Sequence, residues 1–190
     1  MAPVTLARKS ALPACEARKA LQKGKVSTPN PRVMHSNIFI ISKTPAFEPV
    51  NPEDIYAGCD AASPDYVYHI ESSAQKELID HLVNSVLPKG MFIIDASYKF
   101  IVFQGGMSEW LKEYSRMVRD AAQAINESNI TEWAGPVYKL TETIDNPLKT
   151  GFLFCEGDTS ACQSRELMCS VAQMKPGERL YIGEVFGYHM

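Results

Sequence analysis

The sequence predicts an α+β domain, with a mixed or mainly antiparallel sheet of about six or seven strands and three helices packed on it. The length of 190 residues fits one domain. Hydrophobic residues make up 45% and charged residues 22% of the chain, a balance typical of a folded globular protein. The predicted elements follow the order strand, strand, helix, hairpin, helix, strand, strand, helix, strand. They therefore do not alternate as the elements of a parallel α/β sheet would.

The strands are predicted from short apolar runs. Residues 37–41 (Asn-Ile-Phe-Ile-Ile) form a continuous run, typical of a central strand buried on both faces. Residues 66–71 alternate in polarity, which is typical of a half-exposed strand. Asp95-Ala96-Ser97 separates two further runs, which predicts a hairpin. The predicted strands are residues 36–42, 66–71, 91–95, 98–104, 136–144, 151–155 and 180–186.

Each predicted helix begins at a serine that can cap it, namely Ser72, Ser108 and Ser160. Gln75 and Gln163 stand three residues after the first and the third of these serines, as in a capping box. The second helix carries an apolar stripe that runs to Ile125, and we expect this stripe to face the sheet.

The chain is predicted to divide into an extended basic N-terminal arm, residues 1–33, and a single α+β domain, residues 34–190. A long loop at residues 43–65 holds four prolines and five acidic residues. Inside this loop, Asn51-Pro52-Glu53-Asp54 places a capping residue, a proline and two acids in the order that begins a helix. We expect a short helix there, ending near Ala57.

Charge is unevenly distributed along the chain. The arm holds one acid, Glu16, and seven basic residues, namely Arg8, Lys9, Arg18, Lys19, Lys23, Lys25 and Arg32. Its net charge is therefore +6. The whole chain has 19 basic and 22 acidic residues, so residues 34–190 keep 12 basic and 21 acidic residues and carry −9.

This division favours a non-enzymatic structural or interaction subunit of a larger assembly. Its basic arm would dock on an acidic protein surface, which includes the surface of a neighbouring subunit. Nucleic acid is a less favoured partner for the arm, because the acidic body repels it. No apolar run reaches the roughly 18 residues that a bilayer span needs.

The cysteines favour an intracellular location, with the cytoplasm preferred. They are an odd number, five, and they are spread along the chain, which is not the pattern of a secreted disulfide framework. Import into an organelle is the alternative, because the arm is rich in arginine and poor in acids. Pro3 and Pro13 interrupt the helix that an import sequence would form.

A small cysteine-dependent hydrolase or transferase is the alternative function. Cys162 is its nucleophile, because we expect this residue in the first turn of the third helix, where the helix dipole favours a thiolate. His69 is one candidate base, and His189 is another. Cys59 is a poorer nucleophile, because it would follow a helix C-terminus among acidic residues.

No metal and no cofactor are predicted. Six residues separate Cys155, Cys162 and Cys169 from one another, whereas zinc ligands usually come in pairs two to four residues apart. A non-haem iron site built from His69, Glu71 and His189 is an alternative, less favoured than a surface histidine beside a glutamate. The phosphate-binding and dinucleotide-binding glycine motifs do not occur.

Overall fold

The computed structural model describes residues 35–45, 49–57, 66–156 and 160–189. Over these residues the chain forms a six-stranded, mainly antiparallel sheet, one separate pair of short strands and four α-helices. The predicted α+β class is confirmed, although the described ranges hold four helices where three were expected. None of these helices is both long enough and apolar enough to cross a bilayer.

The elements are numbered here in chain order. The strands are β1 (His35–Ser42), β2 (Tyr56–Ala57), β3 (Tyr66–His69), β4 (Phe92–Ile94), β5 (Phe100–Phe103), β6 (Leu153–Glu156), β7 (Ser160–Ala161) and β8 (Arg179–His189). The helices are α1 (Ser72–His81), which continues as a π-helical turn over Leu82–Val86, α2 (Met107–Gln123), α3 (Pro136–Asp145) and α4 (Ser164–Val171).

Strand β8 lies at the centre of the main sheet. One of its edges pairs antiparallel with β1, from His35 opposite His189 to Ser42 opposite Tyr181. Strand β6 then pairs in parallel with β1. The other edge of β8 has two antiparallel partners, β5 near its start and β3 near its end, and β4 pairs with β5. The short strands β2 and β7 pair separately, in parallel.

The two faces of this sheet are covered differently. The helix-covered face includes Phe39, Ile41 and Val185, which pack in one core with Val83 of the π-helical turn and Leu167 of α4. The loop-covered face includes residues from β1, β6 and β8, which pack with two residues outside the main sheet; these residues are Ile38, Ile40, Cys155, Phe186, Ile55 and Ala161. The prediction that residues 37–41 are buried on both faces is confirmed, because the four residues from Ile38 to Ile41 are at most 4% exposed.

The first two helices begin at residues other than the predicted serine caps. Ser72 is the first residue of α1 and Glu71 is the N-cap, while the side-chain amide of Gln75 donates to the Ile70 carbonyl at 2.8 Å. Helix α2 begins after Gly106, whose φ of 86° is a left-handed conformation that glycine adopts without strain. Ser108 is therefore the second residue of that helix.

The apolar stripe of α2 does not face the sheet along its whole length, contrary to expectation. Met107 and Trp110, in the first turn, pack against the core of the helix-covered face. Farther along, the Tyr114 hydroxyl donates to the Ile144 carbonyl at 3.0 Å, so the helix continues beside α3. Leu111 is 45% exposed.

Residues 136–144 were predicted to form a strand, and this prediction is wrong. They form α3, and Pro136 stands at its first position, where a proline needs no hydrogen-bond partner for its nitrogen. Val137, Leu140 and Ile144 recur at intervals of three and four residues and are all half-buried. This spacing fits one face of a helix better than it fits a strand.

The predicted turn chemistry is confirmed at two places. The Asn51 side chain accepts from the Glu53 amide at 3.3 Å and caps a one-turn 3₁₀ helix, Pro52–Asp54, which is shorter than expected. Strands β4 and β5 form the predicted hairpin. In its turn, the Asp95 carboxylate accepts from the hydroxyl and the amide of Ser97, and these hydrogen bonds lower the pKa of Asp95.

Candidate functional site

A groove of about 640 Å³ opens on the loop-covered face, where β5 meets β8. Ile40 lies at its base, since this strand residue is 4% exposed. Three residues from the segments that follow β1 line the groove, namely Pro45, Pro49 and Val50. Residues of β5, β8 and the turn before β5 line it as well, namely Lys99, Phe100, Tyr181, Ile182, Gly183 and Glu184.

A β-bulge in β8 shapes this groove. Phe39 lies opposite Val185 and Ile41 lies opposite Ile182, so two steps along β1 match three steps along β8. The extra residue falls at Gly183–Glu184, opposite the single residue between Phe39 and Ile41. Bulges bend and twist a strand locally and often occur beside binding sites. This bulge keeps both Ile182 and Val185 in the helix-side core.

Two aromatic rings and an arginine lie side by side on this face. Phe100 and Tyr181 are cross-strand partners, and their ring centroids are 5.6 Å apart. Arg179 precedes Tyr181 by two residues, so both side chains lie on one face of β8. Its guanidinium carbon is 4.4 Å from the Phe100 ring centroid, a cation–π contact. Both rings are half-buried.

A second groove, of about 450 Å³, lies next to the first and shares Tyr181 with it. Its lining includes Lys43, Glu178 and Arg179. The first groove contributes one further cation, Lys99, and one further acid, Glu184. Together the two grooves carry three cations and two acids. The lining of the two grooves therefore has a net charge of +1, whereas residues 34–190 as a whole carry −9. Arg179 also lies close enough to Asp95 to help lower the pKa of that carboxyl group.

His69, the predicted base, lies at the end of β3. Its Nδ1 is 3.7 Å from Oε2 of Glu184, and both side chains are more than half exposed. The imidazole also packs against the Phe186 ring, with the centroids 5.1 Å apart. These contacts hold His69 near the bulge in β8.

Cys162, the predicted nucleophile, is not in the first turn of a helix, so that expectation is wrong. Helix α4 begins at Ser164 with Gln163 as its N-cap, and Ser160 belongs to β7. Cys162 exchanges two backbone hydrogen bonds with Phe154 of β6, both at 2.9 Å. Its sulfur is 3.9 Å from the Ser160 hydroxyl. The dipole argument for a thiolate at Cys162 therefore loses its basis.

The structure does not bring Cys162 and His69 together. His69 lies on β3, and β8, β1 and β6 follow in order across the sheet before Cys162, which pairs with β6. Four strand spacings of about 4.8 Å separate the two residues by about 19 Å. The other candidate base, His189, lies on β8, with β1 and β6 between it and Cys162.

Neither the three-cysteine zinc site nor the iron site of His69, Glu71 and His189 is assembled, because the part of the chain that the structure describes holds no group of three or more metal-ligating side chains. Glu71 caps α1 and does not continue β3, so it does not share a strand face with His69. The three cysteines at seven-residue spacing also differ in their surroundings, since Cys155 is buried, Cys162 is half-buried and Cys169 is exposed.

A second exposed surface lies at the connection between α2 and α3 and in the first turn of α3. Trp133 is 89% exposed, while Ile130 and Tyr138 are each 57% exposed. Large apolar side chains with so much exposed area are typical of contact surfaces. We call these three residues the helical-hairpin patch.

Several predicted residues lie outside the residues that the structure describes. They are Cys59 and the seven arm cations, Arg8, Lys9, Arg18, Lys19, Lys23, Lys25 and Arg32. Sequence reasoning, in turn, missed the grooves around Tyr181. A signal was present, because Arg179 and Tyr181 alternate with the buried residues Leu180 and Ile182, which marks a strand with one open aromatic and cationic face.

Comparison of the chain with protein-family models, with curated proteins and with solved structures finds no match.

Proposed function

We propose that the protein is a non-enzymatic interaction subunit, whose basic arm docks on an acidic surface of a partner or a neighbouring copy. The observation that carries this proposal is the charge division, with +6 on residues 1–33 and −9 on residues 34–190. A cationic segment lowers its electrostatic free energy by lying on an anionic surface, and each copy of the chain offers such a surface.

The helical-hairpin patch gives the proposal independent support. Trp and Tyr are enriched among the residues that contribute most to protein–protein binding, because they bury a large rigid area and can still form a hydrogen bond. Trp133 exposes most of its indole, and Ile130 lies three residues before it. A folded domain with such a patch fits a subunit that contacts its neighbours at more than one place.

The proposal is tested by neutralising the arm in the full chain. All seven arm cations are replaced by glutamine, and association is measured by sedimentation velocity, with the protein alone and with polyglutamate as an acidic probe. We expect association of the unmodified chain to weaken between about 0.01 M and about 1 M salt, as the screening length falls from about 30 Å to about 3 Å. The variant with the neutralised arm should lose this salt-dependent association.

A matched control separates the position of the charge from its amount. The domain holds seven exposed basic residues outside the grooves and outside the ion pairs, namely Lys76, Lys89, Lys112, Arg119, Lys139, Lys149 and Lys175. Replacing these by glutamine also removes seven positive charges, so both variants have a net charge of −10. The control should associate at least as well as the unmodified chain. Equal association of the two variants, or association that does not depend on salt, would contradict the proposal.

A further inference from the structure

We propose that the two grooves around Tyr181 bind single-stranded nucleic acid, with a base stacked on the Tyr181 ring beside the Arg179–Phe100 pair and phosphates held by Lys43, Lys99 and Arg179. This binding site is separate from the arm. Its three parts are the aromatic rings, the cations and the two grooves that share Tyr181.

The aromatic rings are placed for stacking. Phe100 and Tyr181 are held by paired strands, and Tyr181 lines both grooves. Their rings are half-buried, so one part of each ring is fixed by packing and another part lines a groove. Every nucleobase has a flat π-face, and unpaired bases stack on such rings with little dependence on sequence.

The cations are divided between the two grooves that share Tyr181. Lys99 lines the first groove, while Lys43 and Arg179 line the second. Phosphates on either side of a stacked base would therefore meet a positive charge. Arg179 already makes a cation–π contact with Phe100, and a guanidinium plane can also stack on a base.

The presence of two grooves that share Tyr181 favours a chain of nucleotides over one nucleotide. The first groove, of about 640 Å³, is already within the range of sites that enclose a small molecule. The second groove adds about 450 Å³ beyond Tyr181. In a duplex the bases stack on one another and their faces are not available to protein rings. We therefore expect single strands to bind and duplexes to be rejected.

The test uses the full chain with the seven arm cations replaced by glutamine, so that the arm contributes no phosphate contacts. Fluorescence anisotropy measures binding of a labelled oligothymidylate of about 12 nucleotides, a length within the range of one small binding fold. We expect the logarithm of the association constant to fall with the logarithm of the salt concentration, with a slope of about −2. Each of the three cations contributes about −0.7 to this slope on single strands. A duplex of equal length should not compete.

Variants of Tyr181 test the stacking. Tyr181→Leu should weaken binding about tenfold or more, since base–aromatic stacking has this magnitude, while Tyr181→Phe should keep the affinity. Tyr138→Leu, on the distant helical-hairpin patch, is the matched control and should bind as the parent does. Because a strand variant can lose its fold, the exposed Lys99→Gln is a second probe, and it should reduce the salt slope by about 0.7.

Several results would overturn the inference. Loss of all binding when the arm is neutralised would assign nucleic-acid binding to the arm. Equal binding of a duplex, or displacement of the oligonucleotide by polyglutamate, would show a general anion site without stacking. Unchanged affinity in a folded Tyr181→Leu variant would show that the Tyr181 ring does not stack on a base. None of these results depends on whether the arm docks on an acidic protein, so the two proposals fail separately.

Discussion

The two faces of the main sheet differ in what covers them. On the helix-covered face, residues from α1, α4 and the strands form one continuous core. On the loop-covered face, a smaller cluster includes Ile55 and Ala161 from segments outside the main sheet, and the covering leaves the groove beside Tyr181 open. Helices exclude water along a whole strand, whereas short segments cover only part of it. Binding surfaces are therefore more easily formed on the face that loops cover.

Strand β1 allows this difference to be measured with one kind of substitution. Ile40 and Ile41 are neighbours, are 4% and 2% exposed, and point to opposite faces. Ile41→Ala would leave a dry cavity in the helix-side core, and we expect it to lower the free energy of unfolding by about 4 kcal/mol. Ile40→Ala would extend a groove that water can enter, and we expect a loss of about 2 kcal/mol. Urea denaturation measures both values.

Equal losses for Ile40→Ala and Ile41→Ala would contradict the comparison, because the base of the groove would then be as dry as the core. The two substitutions remove the same atoms from adjacent positions of one strand. Each therefore serves as the control for the other in hydrophobicity, size and strand propensity.

Gly187 tests how closely β3 and β8 approach on the helix-covered face. It lies opposite Tyr68, and a Cβ atom added to Gly187 would overlap the Tyr68 ring. We expect Gly187→Ala to lower the free energy of unfolding by about 1–3 kcal/mol through overpacking. The same change should cost less in a Tyr68→Ala background, because the overlapping ring is then absent. An unchanged cost in that background would show that the ring is not the cause.

Tyr188, on the loop-covered face, gives the smallest expected effect, and it depends on pH. The residue is 6% exposed, its hydroxyl donates to the Gly151 carbonyl at 2.8 Å, and burial raises its pKa. Because the pKa of Tyr188 is higher in the folded protein than in the unfolded chain, its contribution to stability is complete below the unfolded-state pKa of about 10. That contribution is lost as pH rises through the folded-state pKa. We expect Tyr188→Phe to cost about 1 kcal/mol near neutral pH.

The measurement for Tyr188 is the urea midpoint at neutral pH and above the usual tyrosine pKa of about 10. The parent should lose more stability between the two conditions than Tyr188→Phe does. Tyr98 and Tyr114 also have raised pKa values, and both variants keep them, so only the difference is assigned to Tyr188. Equal losses in the two proteins would contradict the assignment.

Much of the fold could be predicted, because its strands carry strong local patterns. The run at residues 37–41 and the turn Asp95-Ala96-Ser97 specify their structures through nearby residues alone. The helix caps could not be predicted in the same way. Ser72 and Ser108 have the residue type of a cap, but Glu71 and Gly106 occupy the N-cap positions. Residues 136–144 were assigned to the wrong class because the helix that they belong to, Pro136–Asp145, has only ten residues and shows few turns of helical spacing.

The candidate site could be predicted less well than the fold. Sequence reasoning named His69 and His189 as candidate bases for Cys162, but the strand order places at least two strands between Cys162 and either histidine. It missed the pairing of Phe100 with Tyr181, because that contact joins residues about 80 positions apart through a sheet register that no local pattern specifies. Function on this fold depends on such non-local contacts.

The contrast between Trp110 and Trp133 provides a built-in optical reporter. These are the chain's two tryptophans; Trp110 stacks on Tyr114 with centroids 5.0 Å apart, whereas Trp133 is 89% exposed. Iodide should therefore quench Trp133 emission first, and a bound neighbour at the helical-hairpin patch should shield it. In a Trp133→Phe variant the remaining tryptophan fluorescence would come from Trp110 and would report unfolding. Subunit contact and unfolding could then be monitored by separate signals.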